Sequence, residues 1–201
     1  MGFRTRATST ESSCNWSGAR LKCIGIPFKR DPATAIIDRT ATAAVRGPAV
    51  GIGWSLALAC DLVIAADNAR FSAICLRRGL APDGGAAWLL SRLVGMQRAK
   101  ELVFTTRFVG AEEAERLQLV SRVVPADSLD AEAMKFAAEL AEQPTFALAM
   151  AKKLFDYALG PSFEDFLDYE LMVQPQLNQS ADYREGFTSF QEKRPARFTG
   201  R

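Results

Sequence analysis

The 201-residue sequence contains no histidine, and this absence excludes several kinds of chemistry. Without imidazole, the chain cannot use Ser-His-Asp or Cys-His catalysis, histidine-ligated metals or imidazole proton relays. Acid–base catalysis must therefore come from carboxylates, lysine, tyrosine, cysteine or water. The four cysteines form no Cys-X-X-Cys pair, so the sequence gives little support for a zinc site or a thioredoxin-type redox site.

The lack of long apolar runs and of a strong net charge limits the cellular compartments and the binding partners that the sequence favours. No apolar run approaches the ~20 residues that a bilayer crossing needs, so we expect no membrane span. The formal net charge is only +2, which is too balanced to indicate a nucleic-acid or membrane-surface partner. Cys60 and Cys75 lie in apolar contexts typical of reduced core residues, and this fits a cytoplasmic protein. With 48% apolar and 24% charged residues, the composition is that of a globular domain.

The chain changes character near residue 40. Residues 1–40 lack the patterns seen later, and residues 1–30 are rich in serine, threonine and arginine without a helical or alternating period. Transit peptides, disordered tails and aberrant start regions share that composition, and we expect a poorly ordered segment without a targeting role. Residues 41–125 alternate strands with helices, whereas residues 126–201 are helical. This order predicts an α/β core followed by a helical C-terminal region.

Hydrophobic periodicity and turn signals predict the individual elements from residue 42 onward. Strands are predicted at 42–46, 62–66, 70–73 and 119–124, and helices at 51–59, 86–93, 97–106, 111–117, 129–141, 144–158, 163–173 and 181–193. Ser162 is the predicted N-cap of the helix that begins at residue 163. Trp88 and Leu89 are predicted to be core residues rather than the lining of a pocket.

A glycine-rich turn joins the first strand of this core to a buried helix. Gly51 and Gly53 flank Ile52, and the first turn of a helix carries unpaired N–H donors and partial positive charge. Such a turn suits an anion or a developing oxyanion, although the glycines also suit a merely crowded turn. A dinucleotide-binding fingerprint fits less well, because Leu56 occupies the place of its third glycine.

Three segments carry a combined pattern that is more specific than any single turn. They read AAVRGPAVGIGWSLALACDLVIAADNARFSA (43–73), LRRGLAPDGGAAWLLSRLVGMQRAKEL (76–102) and GFTSFQEKRPARFTG (186–200). In this combination the chain resembles the crotonase superfamily, the enoyl-CoA hydratase/isomerase family. The resemblance implies an α/β, crotonase-like spiral of ββα units with a helical C-terminal region that builds trimers, often paired into hexamers.

The same resemblance implies chemistry on acyl-CoA thioesters, with two backbone N–H groups holding the thioester oxygen as it becomes an enolate. Matching the motif places one donor at Ile52, between Gly51 and Gly53, which would contact the substrate. In the C-terminal segment, Phe190 would pack near the CoA adenine and Lys193 near its phosphate. The resemblance implies no metal and no cofactor, because CoA arrives as part of the substrate.

The sequence departs from the family pattern in three ways. The loop that supplies the second oxyanion N–H has no match in residues 1–40, and losing one such donor typically costs ~2.7–4 kcal/mol. The two glutamates of a hydratase are absent, and their positions match Ser55 and Cys75. Asp83 stands in Pro-Asp-Gly-Gly, where double-bond isomerases of the family carry a carboxylate, although Pro-Asp-Gly is also a common turn sequence.

These departures favour double-bond isomerisation over hydration. Hydration needs one group to activate water and another to deliver a proton, and neither Ser55 nor Cys75 does this unaided. A single base such as Asp83 can take a proton from one carbon and return it to another. The alternative is a degenerate, non-catalytic member that binds acyl-CoA or serves only within an oligomer.

Overall fold

The structure is a computed structural model that describes residues 10–16, 19–25 and 40–201. The chain divides into two compact units, and the division falls between Phe136 and Ala137, within one helix. The first unit contains residues 10–16, 19–25 and 41–136 of the described chain, and the second contains Thr40 and residues 137–201. Each unit is described by itself below.

The first unit contains two sheets built from short strands. The larger sheet has the order β1-β2-β3-β5-β8, with strands β1 (Thr10–Trp16), β2 (Ala19–Gly25), β3 (Ala41–Arg46), β5 (Leu62–Ala66) and β8 (Arg122–Val124). The smaller has the order β4-β6-β7, with β4 (Pro48–Val50), β6 (Arg70–Ser72) and β7 (Val109–Gly110). In the larger sheet β3, β5 and β8 run parallel, whereas β1 and β2 join antiparallel at its edge.

Repeated ββα units connect the two sheets, as predicted for the crotonase-like spiral. The chain passes from β3 through Gly47 into β4 and then into helix α1 (Ile52–Leu58). It next passes from β5 into β6, a 3₁₀ helix (Ile74–Arg78) and helix α2 (Ala86–Leu93). The strands of the second ββα repeat pair in parallel with those of the first repeat, β5 with β3 and β6 with β4, all within the first unit. The sequence-based assignment of the fold is therefore confirmed.

Small side chains allow the strands and helix α1 to approach closely. The buried core includes Ala43, Ala49 and Ala65, each fully buried. Trp54 of α1 fills the largest space, with its ring centroid 6.0 Å from that of Phe71 on β6. This core holds the start of α1 rigidly, because the helix is only seven residues long and buries five of them.

Helix α3 (Gly95–Thr105) and helix α4 (Ala111–Arg116) complete the first unit together with the start of helix α5 (Leu129–Ala141). The guanidinium of Arg107 lies between Glu101, with Nε–Oε1 at 2.6 Å, and Glu113, with Nη2–Oε1 at 2.9 Å. The hydrogen bond from Arg107 lowers the pKa of Glu101 below its ordinary value. These charge-assisted bonds join the end of α3 to the start of α4.

The second unit is helical, with the rest of α5 followed by α6 (Thr145–Tyr157), α7 (Phe163–Asn178) and α8 (Ala181–Gln191). Ser162 caps α7 by accepting from the N–H of Asp165 at 3.2 Å, which confirms the predicted cap. Helix α7 continues beyond its predicted end at residue 173, with Pro175 inside it. Proline removes one backbone hydrogen bond from a helix, and here the helix continues through it, with the buried Val173 two residues before the proline.

Among the residues that the structure describes, no helix has the length and apolar character of a membrane crossing.

Three predictions about residues outside the regular pattern have different outcomes. The segment in which the sequence shows no period contains strands β1 and β2. These strands form by pairing, β1 with β2 and β2 with β3, and a period along the sequence does not report such pairing. The remainder of residues 1–40 apart from Thr40 lies outside the described residues. The prediction that Trp88 is a core residue is wrong, because its ring is 50% exposed and is covered instead by Arg92, whose Cζ lies 3.7 Å from the ring centroid. Leu89 is half-buried against the core, as predicted.

The last residues of the second unit fold back onto α8. The buried carboxylate of Asp182 accepts hydrogen bonds from the N–H groups of Thr199 at 2.6 Å and Gly200 at 2.8 Å. Glu185 accepts from both terminal nitrogens of Arg194, at 2.6 and 2.9 Å, and from the N–H of Arg197 at 2.8 Å. The C-terminal motif thus forms a hook held by two acidic residues of one helix.

The hydrogen bonds to Glu185 lead us to predict that the protein loses stability in acid. Hydrogen bonds from Arg194 and then from the backbone of Arg197 lower the pKa of Glu185 to about 2, against 4.5 for the ordinary group. Because the folded-state pKa is the lower one, the stabilisation is complete above pH 4.5 and is lost as the pH falls from 4.5 toward 2. We expect Glu185→Gln to lower the free energy of unfolding at pH 6, with the difference from wild type shrinking below pH 4.5, in urea unfolding.

The matched control is Glu139→Gln, which removes an exposed carboxylate from α5. It should show no such pH-dependent difference. A Glu185→Gln effect of equal size at pH 6 and pH 2.5 would contradict the assigned role of the ionised carboxylate.

Candidate active site

The turn from β4 into α1 leaves backbone donors available. Gly51 has φ +54°, a conformation that favours glycine, and its own N–H donates to the carbonyl of Ser72 at 2.9 Å. The carbonyl of Gly51 accepts from Trp54 at 3.0 Å and Ser55 at 3.1 Å, which begins the helix. The N–H groups of Ile52 and Gly53 donate to no acceptor among the residues described. The predicted donor at Ile52 is therefore uncapped within that part of the chain.

A second turn, Pro82 to Gly85, lies against the side chain of Ile52. Gly84 adopts φ +58°, and a Cβ placed there would stand 2.5 Å from Ile52 Cδ1 and 2.9 Å from the Cβ of Ser55. Ile52 Cδ1 is the end of a flexible side chain and can move, but the Cβ of Ser55 is fixed to the helix, so the close contact and the positive φ together favour glycine. The turn that carries Asp83 is thus packed directly on the Ile52 turn.

Ser55 joins the two turns by a hydrogen bond. Its side chain is 1% exposed, and its Oγ lies 3.0 Å from the carbonyl of Asp83 and 3.3 Å from that of Gly51. A hydroxyl carries one hydrogen and donates to one acceptor at a time, and Asp83 gives the shorter bond. Ser55 is the residue predicted to match one of the hydratase glutamates, and its side chain is a hydroxyl rather than a carboxylate.

Cys75, predicted to match the other hydratase glutamate, also lies beside the Gly51 turn. A Cβ built on Gly51 would stand 3.8 Å from its Sγ, and the thiol is free and half-buried. The structure therefore brings together four residues that the sequence singled out, namely Ile52, Ser55, Cys75 and Asp83. Gly51 and Gly53 belong to the same turn.

Asp83 supplies the exposed carboxylate of this group. Its side chain is solvent-accessible and makes no hydrogen bond or ion pair with a described residue, while its main-chain carbonyl accepts from Ser55 and from the N–H of Ala86 at 3.1 Å. The carboxylate is therefore positioned by the backbone of its turn alone. Nothing in its contacts requires a carboxylate for folding.

An apolar cavity of about 390 Å³ adjoins the same turn at Pro82. Its lining is almost entirely apolar, with Lys100 as the charged member; the residues are Leu76, Ala81, Pro82, Ala87, Met96, Ala99, Lys100, Val103 and Phe104. The sequence analysis missed this cavity. The spacing of Met96, Lys100 and Val103 along α3 was the available signal, since residues three and four apart share a helix face.

The two residues predicted to contact CoA lie in the second unit. Phe190 of α8 is 83% exposed, and Lys193 follows the helix with φ +53°. Arg194, next along the chain, is engaged with Glu185 and Glu192. Within the described ranges no group of three or more Cys, Asp and Glu side chains is arranged to hold a metal ion.

The close approach of the two turns gives a stability prediction. Gly84→Ala should lower the free energy of unfolding by about 2–4 kcal/mol, because overpacking costs about 1–3 kcal/mol and a left-handed alanine about 1 kcal/mol more. The control is Gly79→Ala, which has φ +70° and open space around the added methyl, so it should cost only the backbone part. Urea unfolding measures both.

A second substitution separates steric clash from backbone strain. Ile52→Val deletes Cδ1, the atom 2.5 Å from the added methyl, so it should recover part of the loss in Gly84→Ala but none in Gly79→Ala. Equal costs at residues 79 and 84 would show that the turns are not in contact.

Comparisons with known proteins agree with this architecture. A family model described as enoyl-CoA hydratase/isomerase matches residues 34–201. A probable enoyl-CoA hydratase of Rhodobacter capsulatus is 45% identical over 159 residues, which cover 79% of this chain and 62% of that protein. The 1,2-epoxyphenylacetyl-CoA isomerase of Escherichia coli is 38% identical over 167 residues, which cover 83% of this chain and 64% of that protein. The chain thus spans less than two thirds of the length of these curated relatives.

Solved structures show the same fold. A putative enoyl-CoA hydratase of Streptomyces coelicolor superposes with a TM-score of 0.77 at 37% identity, over 80% of this chain and 58% of that one. An enoyl-CoA hydratase of Bacillus anthracis gives a TM-score of 0.76 at 33% identity, over 80% of this chain and 62% of that one. With the ββα spiral and the match over residues 34–201, the chain belongs to the enoyl-CoA hydratase/isomerase family, in the crotonase superfamily.

Proposed function

We propose that this protein acts on acyl-CoA thioesters by stabilising an enolate, and that it shifts a double bond rather than adding water. The observation that carries the proposal is the packing of the Asp83 turn against the Ile52 turn, whose N–H has no described acceptor. This packing supports a role for Asp83 as the base and for the Ile52 amide as the oxyanion donor. Both groups are needed for proton transfer next to a thioester carbonyl.

The Ile52 amide stabilises the charge that develops in the reaction. When a proton leaves the carbon next to the thioester carbonyl, the electrons of the C–H bond move into an enolate and negative charge grows on the oxygen. A preorganised N–H aimed at that oxygen typically contributes ~2.7–4 kcal/mol. The loop that supplies a second donor in the family has no match in residues 1–40, so the proposal relies on the Ile52 amide.

Asp83 would serve as the single base. Its carboxylate takes a proton from carbon 2 of a 3-enoyl thioester, which gives a dienolate held by the amide. The protonated Asp83 then returns the proton to carbon 4, and the product is the conjugated 2-enoyl thioester. No water is consumed, and the carboxylate is regenerated.

The residues at the glutamate positions support isomerisation over hydration. Ser55 is buried and hydrogen-bonded to main-chain carbonyls, and Cys75 is a half-buried free thiol. Neither residue supplies the pair of acid–base groups that water addition needs. One curated relative is named a probable enoyl-CoA hydratase and the other a 1,2-epoxyphenylacetyl-CoA isomerase, so these names favour neither hydration nor a double-bond shift.

The first test removes the base and keeps the fold. Asp83→Asn should lower isomerisation of a 3-enoyl-CoA by at least ~10²-fold, because general acid–base catalysis contributes 10²–10⁴-fold. The free energy of unfolding should stay within ~0.5 kcal/mol, since the carboxylate is exposed and unpaired among described residues. The assay follows the conjugated enoyl thioester by absorbance.

The matched control is Asp67→Asn, an exposed aspartate in another turn of the same unit, which should keep wild-type turnover. Full activity in Asp83→Asn would remove Asp83 from the mechanism. Hydration of a 2-enoyl-CoA by the wild type would contradict the isomerase assignment. Calorimetric binding of a saturated acyl-CoA without turnover of either substrate would instead support the non-catalytic alternative.

The C-terminal residues give a test of CoA binding. We propose that Lys193 contacts a CoA phosphate and that Phe190, which is 83% exposed, packs near the adenine. Lys193→Gln should weaken acyl-CoA binding by about 5-fold, the equivalent of ~1 kcal/mol for a solvated ion pair. Lys135→Gln, at an exposed lysine of α5, is the calorimetric control, and equal affinities in the two variants would exclude Lys193 from the site.

Self-association as a trimer or hexamer is part of the proposal. Helices of the second unit expose large apolar side chains, among them Phe155 at 77%, Phe163 at 71% and Leu171 at 70%. Apolar exposure of this extent is typical of an interaction surface and supports the trimer-building role that the family implies. A cytoplasmic location is also proposed, since the Cys75 thiol, which forms no disulfide within the described part of the chain, fits a reducing compartment.

A further inference from the structure

Ser55 has a contact pattern that its place in a helix does not require. A buried helical serine is ordinarily satisfied by the carbonyl four residues earlier, which here is Gly51 at 3.3 Å. Its shorter bond, 3.0 Å, goes instead to the carbonyl of Asp83, 28 residues away on another turn. The hydroxyl therefore links two segments of the site.

The hydrogen bond from Ser55 ends at the carbonyl of Asp83, where the turn leads into helix α2. The Asp83 carbonyl that accepts from Ser55 also accepts from the N–H of Ala86, the first residue of α2, at 3.1 Å. Gly84, the next residue, is held by van der Waals contact with the Cβ of Ser55 and with Ile52. The hydrogen bond to the Asp83 carbonyl and the close approach of Gly84 thus hold the turn against α1.

The Asp83 side chain has no comparable support. Its carboxylate is exposed and bonds to no described residue, so its distance from the Ile52 amide depends on the main chain of residues 82–85. Any loosening of that main chain moves the base relative to the oxyanion donor. A displacement of 1 Å in a catalytic group can cost on the order of 10²-fold in rate.

We infer that Ser55 is a positioning residue, which holds the Asp83 turn at a fixed distance from the Ile52 amide by its hydrogen bond to the Asp83 carbonyl. This inference rests on the proposed function, since it concerns the base of the proposed isomerisation. The position that matches a glutamate in hydratases is here a structural link to a different acid–base residue. Ser55 acts through Asp83 and does not touch the reacting atoms.

The experiment compares Ser55→Ala with Ser189→Ala. Alanine keeps the Cβ that packs on Gly84 and removes only the hydroxyl. Ser189 is the matched control, a buried serine of α8 that donates to the carbonyl of Gly186 at 3.1 Å within its own helix. For each variant, kcat and KM for a 3-enoyl-CoA are measured together with amide hydrogen exchange of peptides covering residues 79–90.

In Ser55→Ala we expect kcat to fall by about 10- to 100-fold with KM within threefold, because the base is misplaced while the CoA contacts are intact. Exchange at residues 83–86 should be faster than in the wild type. Ser189→Ala should keep the wild-type kcat and the wild-type exchange of the turn. A general loss of stability would not produce this separation of kcat from KM.

The opposite results are equally distinct. Wild-type kcat in Ser55→Ala, or a lower kcat with unchanged exchange of the turn, would overturn the inference. If the wild type itself does not isomerise, the proposed function fails, and the exchange comparison alone then decides whether Ser55 holds the turn. Faster exchange in Ser55→Ala would support that role, and equal exchange would exclude it.

Discussion

The geometry of the site depends on the positive φ of Gly51, the residue at which the chain turns from β4 into α1. At φ +54° the chain leaves β4, donates one N–H to Ser72 across the smaller sheet, and presents its carbonyl to the first turn of α1. The N–H and the carbonyl of Gly51 both form hydrogen bonds within the protein. The N–H groups of Ile52 and Gly53 have no acceptor among the described residues. A side chain at residue 51 would strain this conformation, so the glycine is a structural requirement of the donor.

Around that turn the molecule uses main-chain contacts where many active sites use side chains. The main chain of the Asp83 turn is held by the hydrogen bond that its carbonyl accepts from Ser55 and by the start of α2. The lack of a Cβ at Gly84 lets the turn lie against α1. The rigid core beneath, with Trp54 against Phe71, keeps α1 in place. A carboxylate can then remain exposed and unpaired, which is the condition in which it can exchange protons with a bound molecule.

Much of the fold follows from local sequence, and the exceptions have identifiable causes. Strand β5 and helices α2 and α5 were predicted with their observed bounds, because an apolar run or stripe lies between clear turn signals. Strand β4 was missed: it is three residues long, begins with Pro48 and exists only through pairing with β6. Trp88 was misjudged because an apolar side chain predicts burial, whereas Trp88 is 50% exposed and its ring contacts the guanidinium of Arg92. The resemblance supplied Ile52 and Asp83 as candidates, but the bond from Ser55 depends on tertiary contact between residues distant in sequence.

The contact between Ile52 and Gly84 also restricts how such a site can change during evolution. The two positions share one small volume, in which the δ-methyl of one occupies the space that any side chain on the other would need. Substitutions at the two positions are coupled, since a side chain gained at residue 84 is accommodated better where residue 52 has already lost its δ-methyl, while the contact with the Cβ of Ser55 remains. The order of the two replacements therefore matters, and we expect the turn of Ile52 and the turn of Asp83 to diverge together.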